Sequence, residues 1–166
     1  MKKGVGMVVS GVAGTVLGAG MMKKVNKPEI DKNKELKDLA DKHLALFLMM
    51  NRWVNIKQEG KNLSSYFERN GYKKIAIYGM SYAGCTLYDE LLGSDIEIAY
   101  LIDQNPQRSI SLGKGFGAKF VSMDDDLEEV DVIVVTPITF FDEISGNLRK
   151  KIGCPIISLD DIIDEV

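Results

Sequence analysis

Three small residues, Gly79, Ser81 and Gly84, stand between an apolar run and an amphipathic stretch. The run at 75–78 predicts a buried strand, and the stretch at 82–92 predicts a helix. A glycine directly after a strand permits a tight turn, and a glycine early in the helix lets the helix pack close to the sheet. Because the first N–H groups of a helix attract anions, this spacing predicts a turn that can hold a phosphate.

An acid follows the next predicted strand, where Asp103 comes directly after residues 96–102. The glycine pattern together with this acid is the layout of a dinucleotide-binding βαβ unit, with Ser81 at the second glycine position of G-x-G-x-x-G. Asp103 would accept a hydrogen bond from a ribose 2′-hydroxyl and disfavours a 2′-phosphate, so we expect NAD or a nucleotide-sugar as the cofactor in preference to NADP. The Cβ of Ser81 takes space that a diphosphate needs, so a packing turn with an empty crevice is the alternative.

Predicted strands and helices alternate over residues 63–166. This alternation indicates a three-layer α/β domain, and right-handed crossovers give a Rossmann-like parallel sheet of about five strands in the order 3-2-1-4-5. The ligand crevice is expected where strand one diverges from strand four. The residues predicted to bind a cofactor there are Gly79, Met80, Ser81, Tyr82, Gly84, Asp103 and Thr136, with Pro137 beside them.

The composition and the absence of certain motifs argue against several classes of function. The 166 residues carry a net charge of −3, which argues against a general nucleic-acid binder. Cys85 and Cys154 form no CxxC pair, so no metal site is predicted. No tyrosine has a lysine four residues later, and the single histidine, His43, precedes the domain on an apolar helix seam. We therefore predict no catalytic residue, and an enzyme acting alone is the less favoured interpretation.

The first 25 residues differ from the rest. Residues 4–22 contain no charge, lie between lysines, and repeat small residues at every fourth position, as in a glycine-zipper membrane helix. A single membrane-spanning anchor is expected, with a cleaved signal peptide and a weakly inserted glycine-rich helix as the alternatives. The denser lysines follow this segment, so the positive-inside rule places the globular domain on the cytoplasmic side.

Residues 26–62 are predicted to form a polar linker, at 26–33, and then one long amphipathic helix. Apolar residues recur along the helix at 3-4-3-4-3 spacing, which is the seam of a coiled coil. This seam must be covered by the globular domain or by a second copy of the chain. In the second case the chain forms a homodimer through the 34–59 helix, which the nearby zipper-like membrane helix also favours. The seam residues are Leu36, Leu39, His43, Leu46, Met50 and Trp53.

From about Lys73 to its end, the chain resembles small Rossmann-type domains of bacterial surface-polysaccharide biosynthesis, including the nucleotide-sugar-binding domains of sugar acyltransferases. The similar segments are KKIAIYGMSYAG, LIDQNP, VDVIVVTPITFFDEI and CPIISLDDII. The resemblance implies a nucleotide or nucleotide-sugar crevice contacted by Gly79, Ser81, Gly84 and Asp103, and a partner enzyme of glycan assembly.

Three functions are consistent with these features. The first is a membrane-tethered module that binds a nucleotide, dinucleotide or nucleotide-sugar. The second is a scaffold that uses the fold and the long helix for protein contacts. The third is a small NAD-dependent enzyme completed by a partner subunit.

Overall fold

The computed structural model describes residues 16–105 and 115–166, with side chains from residue 32 onward. The chain divides into two units, Met1–His43 and Leu44–Val166. The second unit contains the sheet and every candidate site residue. Its strands are β1 Lys74–Tyr78, β2 Glu97–Ile102, β3 Lys119–Val121, β4 Val132–Val135 and β5 Ile156–Ser158. The helices among the described residues are α1 Val16–Gln58, α2 Ser64–Asn70, α3 Tyr82–Leu91, α4 Phe141–Leu148, which follows a 3₁₀ turn at Ile138–Phe140, and α5 Leu159–Glu165.

The five strands form one parallel sheet in the order β3-β2-β1-β4-β5, as the sequence predicts. β1 and β4 lie side by side at its centre, with Ile77 opposite Val134. Apart from Lys74 at the start of β1, both strands consist of aliphatic and aromatic residues that are buried on both faces, which is the usual composition of a central parallel strand. The chain order reverses between β1 and β4, so the end of this pair is the switch point of the sheet.

Helices cover both faces of the sheet. On one face, side chains of α1, α2, α3 and α5 pack against Ile77 and Val134 in a single apolar cluster. On the other face, Leu148 of α4 packs with Tyr78 and Tyr100. The arrangement is therefore the three-layer α/β architecture that the sequence predicts.

Helix α1 corrects one sequence-based expectation. The segment predicted as a linker at 26–33 is helical, and α1 continues through Pro28. Lysine and glutamate have high helix propensity, so a polar composition does not by itself end a helix.

The predicted coiled-coil seam is partly used inside the Leu44–Val166 unit. Trp53 is buried there, and Leu46 and Met50 are half-buried against the core, so the globular unit covers this part of the seam. His43 lies outside that unit and is exposed.

The predicted membrane helix gains no support from the fold. Across residues 16–105 and 115–166, no helix combines the length and the apolar character needed to cross a membrane. Residues 4–15 of the proposed span lie outside the described residues. Attachment through 4–22 therefore stays a prediction from the sequence.

Candidate functional site

Gly79 makes the turn that leaves β1. Its φ is +89°, a left-handed conformation that glycine adopts readily and other residues rarely do. Its N–H donates to the Ile102 carbonyl at 2.8 Å, which ties the turn to the end of β2. A Cβ at this position would lie 2.6 Å from the ring carbons of Pro137. The turn therefore needs glycine both for its backbone angle and for the contact with the loop that follows β4.

Gly84 and Thr136 hold the carbonyl group of Gly79. The Thr136 hydroxyl donates to the Gly79 oxygen at 2.5 Å, and Thr136 itself is buried. A Cβ at Gly84 would overlap the same oxygen, which sits against the first turn of α3. The third glycine of the pattern thus allows α3 to approach the turn, as expected from the sequence. Gly84 and Thr136 therefore help to position the turn through the Gly79 carbonyl.

Replacing Thr136 by valine tests this support. Valine keeps the shape of threonine but leaves the buried Gly79 oxygen without its hydroxyl donor, so we expect a loss of about 1–3 kcal/mol in the free energy of unfolding. Urea denaturation followed by circular dichroism measures it. Thr86→Val is the matched control, because the Thr86 hydroxyl also donates to a backbone carbonyl, that of Tyr82, but at an exposed position. Equal losses in the two variants would contradict the buried role of Thr136.

Asp103 connects the end of β2 to the glycine turn. Its Oδ2 accepts the N–H of Met80 at 2.7 Å, and its Oδ1 accepts the N–H of Asn105 at 2.7 Å. Asp103, which the sequence predicts to bind a ribose hydroxyl, is therefore already hydrogen-bonded to two backbone N–H groups. Each carboxylate oxygen has a second lone pair, and Asp103 is only half-buried, so it can also accept a hydrogen bond from a ligand hydroxyl.

Ser81 begins α3 as its N-cap residue. Its carbonyl accepts the N–H of Cys85 at 2.9 Å, and its exposed side chain makes no capping hydrogen bond. The two residues beside it differ in exposure, because the Met80 side chain is buried and Tyr82 is 71% exposed. The N–H groups of the first turn of α3 have no partner within the helix and lie next to Ser81.

An open cavity of about 360 Å³ lies at the switch point, beyond the carboxyl ends of β1 and β4. It brings together three of the residues predicted to bind a cofactor, namely Gly79, Ser81 and Asp103, with Pro137. Met80, Tyr82, Gly84 and Thr136 do not line it. The sequence did not point to the remaining lining residues, which are Tyr78, Gln104, Phe140, Glu143 and Ile144.

A second cavity of about 450 Å³ adjoins the first through Asp103 and Gln104. It lies over the ends of β2 and β3, and its other walls are Phe120, Val121, Ser122, Met123 and Asp124. Asp103 and Gln104 therefore stand between two cavities along the edge of the sheet. Such a row of cavities suits an elongated ligand better than a compact one.

Among the described residues, the first cavity is lined by apolar side chains, neutral polar side chains and two carboxylates, with no cationic side chain. Its charged residues are Asp103 and Glu143. Burial raises the pKa of the Tyr78 phenol and a hydrogen bond with Gln104 opposes that shift, so Tyr78 is neutral near pH 7. Hydroxyl or amino groups of a ligand suit these walls, whereas a phosphate suits only the N–H groups at the start of α3. Within residues 16–105 and 115–166, no group of three or more histidine, cysteine or acidic side chains is arranged to hold a metal ion.

No protein-family model, curated protein sequence or solved structure matches this chain. The resemblance to polysaccharide-biosynthesis domains accordingly stays a prediction, and the geometry of the crevice carries the functional argument.

Proposed function

We propose that the Leu44–Val166 unit is a Rossmann-like binding module for a nucleotide, dinucleotide or nucleotide-sugar, accessory to surface-glycan biosynthesis. The observation that supports it best is the crevice at the switch point of the sheet, where Ser81 at the start of α3 borders the first of two adjoining cavities that share Asp103 and Gln104. Ligands of parallel α/β sheets bind at this position.

The chemistry of the walls assigns parts of the ligand to parts of the crevice. The phosphate groups would lie against the N–H groups of the first turn of α3, beside Ser81. Sugar hydroxyls would donate to Asp103 and to Glu143, which line the first cavity. Phe140, an exposed aromatic ring in the same lining, offers an apolar surface for a sugar or base.

Binding of UDP-glucose, NAD and UMP to the full chain, followed by isothermal titration calorimetry, tests the proposal. We expect at least one of these three ribonucleotides to bind, and Asp103→Asn to weaken its binding about tenfold, because the amide replaces one acceptor oxygen with a donor. Asp95→Asn, at an exposed position after α3, is the matched control and should bind like the native chain. The melting temperature of Asp103→Asn without ligand, compared with that of the native chain, shows whether weaker binding results from a loss of stability.

Ser81→Gly is expected to change ligand affinity in the direction opposite to Asp103→Asn. If the Ser81 side chain crowds a diphosphate, its removal should tighten binding of UDP-glucose and leave UMP less affected. The fold should tolerate the change, since Ser81 makes no capping bond and glycine at an N-cap costs only a few tenths of a kcal/mol. Unchanged affinity for both ligands would remove this role for Ser81.

A scaffold with an empty crevice is the second candidate function. Two observations favour it: both oxygens of Asp103 already accept backbone N–H groups, and the described residues that line the first cavity include two carboxylates and no cation. In that case none of the ligands should raise the melting temperature even at millimolar concentration. A shift with NAD alone is expected both of a dinucleotide-binding module and of an NAD-dependent enzyme completed by a partner subunit.

A further inference from the structure

Helix α1 carries a second apolar surface within the Leu44–Val166 unit, which we call the outer face. Its four large apolar side chains are between 46% and 66% exposed. Successive residues of an α-helix are rotated by about 100°, so this face lies opposite the buried Met49, Trp53 and Ile56. The unit therefore covers only one of two apolar sides. The outer face consists of Leu44, Phe47, Leu48, Asn51, Val54 and Asn55.

The outer face carries no charged side chain. Between Leu44 and Gln58 only Arg52 and Lys57 are charged. Arg52 forms an ion pair with Asp164 at 2.8 Å, and Lys57 forms one with Glu90 at 3.1 Å, so both charges are directed to partners within the unit. A helix side that faces water normally collects charged residues. Three turns without any charge indicate that something covers this side.

The spacing along the outer face is that of a coiled coil. Positions 40, 44, 47, 51, 54 and 58 follow a 4-3-4-3-4 pattern, which places Leu44 and Asn51 at a positions and Phe47 and Val54 at d positions. An asparagine at an a position selects a parallel, in-register pair, because each amide supplies both a donor and an acceptor to the same amide of the other helix. This self-complementarity favours a second copy of the chain over an unlike partner. Amides in the middle of the face also disfavour insertion into lipid.

The area of the outer face fits such a pair. Its four half-exposed apolar side chains present on the order of 400 Å² to water, which is the size of the largest apolar patch on a typical monomer, and such a patch is often functional. That is about half of the roughly 800 Å² that a standard interface takes from each partner, and the exposed Asn51 and Asn55 of the same face add to it.

We propose that the outer face is the interface of a parallel homodimer, in which Leu44, Phe47 and Val54 pack against the same residues of a second copy and Asn51 pairs with Asn51 of that copy. The proposal does not depend on ligand binding in the crevice. It uses the side of α1 that the globular unit leaves uncovered.

Sedimentation velocity of the full chain, from low to high micromolar concentration, tests the dimer. The native chain should sediment as a dimer, and Phe47→Glu should weaken association by more than about tenfold, because it places like charges across the seam. Leu92→Glu is the matched control, since Leu92 is an apolar residue of similar exposure at the end of α3. Far-UV circular dichroism confirms that both variants fold. A native chain that stays monomeric at every concentration would overturn the proposal.

Cross-linking tests the register. Asn51→Cys should form a disulfide-linked dimer under mild oxidation, whereas Leu92→Cys should not. Equal cross-linking of the two variants would overturn the interface. Co-sedimentation with vesicles of phosphatidylcholine and phosphatidylglycerol tests a lipid surface as the occupant. Vesicle binding that Phe47→Glu abolishes, in a chain that is monomeric in solution, would assign the outer face to the membrane and refute the dimer.

Discussion

Gly84→Ala is expected to destabilise the fold by about 3 kcal/mol or more and to lower the melting temperature by roughly 10 °C. The added Cβ would overlap the backbone oxygen of Gly79, which no rotation of a side chain can relieve. Either α3 moves away from the sheet, or the turn moves and breaks the hydrogen bond from Thr136. Ligand affinity should fall as well, because the N–H groups of α3 move with the helix.

The matched control is Gly146→Ala. Gly146 lies inside α4, is exposed, and has no atom within 4 Å of the position of an added Cβ. Alanine there should stabilise the protein by about 0.5–1 kcal/mol, since glycine weakens a helix interior. Thermal unfolding followed by circular dichroism measures both variants. Similar melting temperatures for Gly84→Ala and Gly146→Ala would show that the Gly79 carbonyl does not lie against α3.

Glu90→Ala is the second substitution with a large expected effect, a loss of about 3 kcal/mol in the free energy of unfolding. The Glu90 carboxylate is almost fully buried and joins three segments of the unit. It accepts the indole N–H of Trp53 at 2.6 Å, the backbone N–H of Leu63 at 2.7 Å and the Lys57 ammonium at 3.1 Å. Removing the carboxylate leaves two buried N–H donors without an acceptor. Lys57 can turn to water and contributes little to the loss.

Trp53 supplies the measurement, because it is the single tryptophan of the chain and its fluorescence reports this site directly. Urea unfolding followed by Trp53 emission should show the loss in Glu90→Ala. Glu59→Ala is the control, since Glu59 forms only an exposed ion pair with Lys61 and such pairs contribute at most about 1 kcal/mol. A loss no larger than that of the control would mean that the three hydrogen bonds of Glu90 add nothing to stability.

Glu90 also shows what the sequence cannot reveal. Its main partners, Trp53 and Leu63, lie 37 and 27 positions away, so no local pattern marks it. Trp53 was predicted as a residue of the apolar seam, and it does lie in the core. The carboxylate that satisfies its indole N–H follows only from the packing of α1 on α3.

The same distinction applies to the candidate site. Gly79, Gly84 and Asp103 stand out in the sequence because local geometry restricts them: a left-handed turn, a close helix approach and an acid at a strand end. Gln104, Phe140 and Glu143 line the cavity because the carboxyl ends of β1, β2 and β4 lie side by side, which brings loops from distant parts of the chain together. Their types and spacing carry no recognisable signal.

The sequence by itself determined the class of the fold and the order of its strands, because burial on both faces demands continuous apolar strands and right-handed crossovers leave few topologies. It also located the glycine turn. Only the tertiary structure decided that Asp103 binds the backbone of that turn and that α1 buries one apolar side and exposes the other. Both outcomes depend on contacts between segments far apart in the chain, where packing overrides local preference.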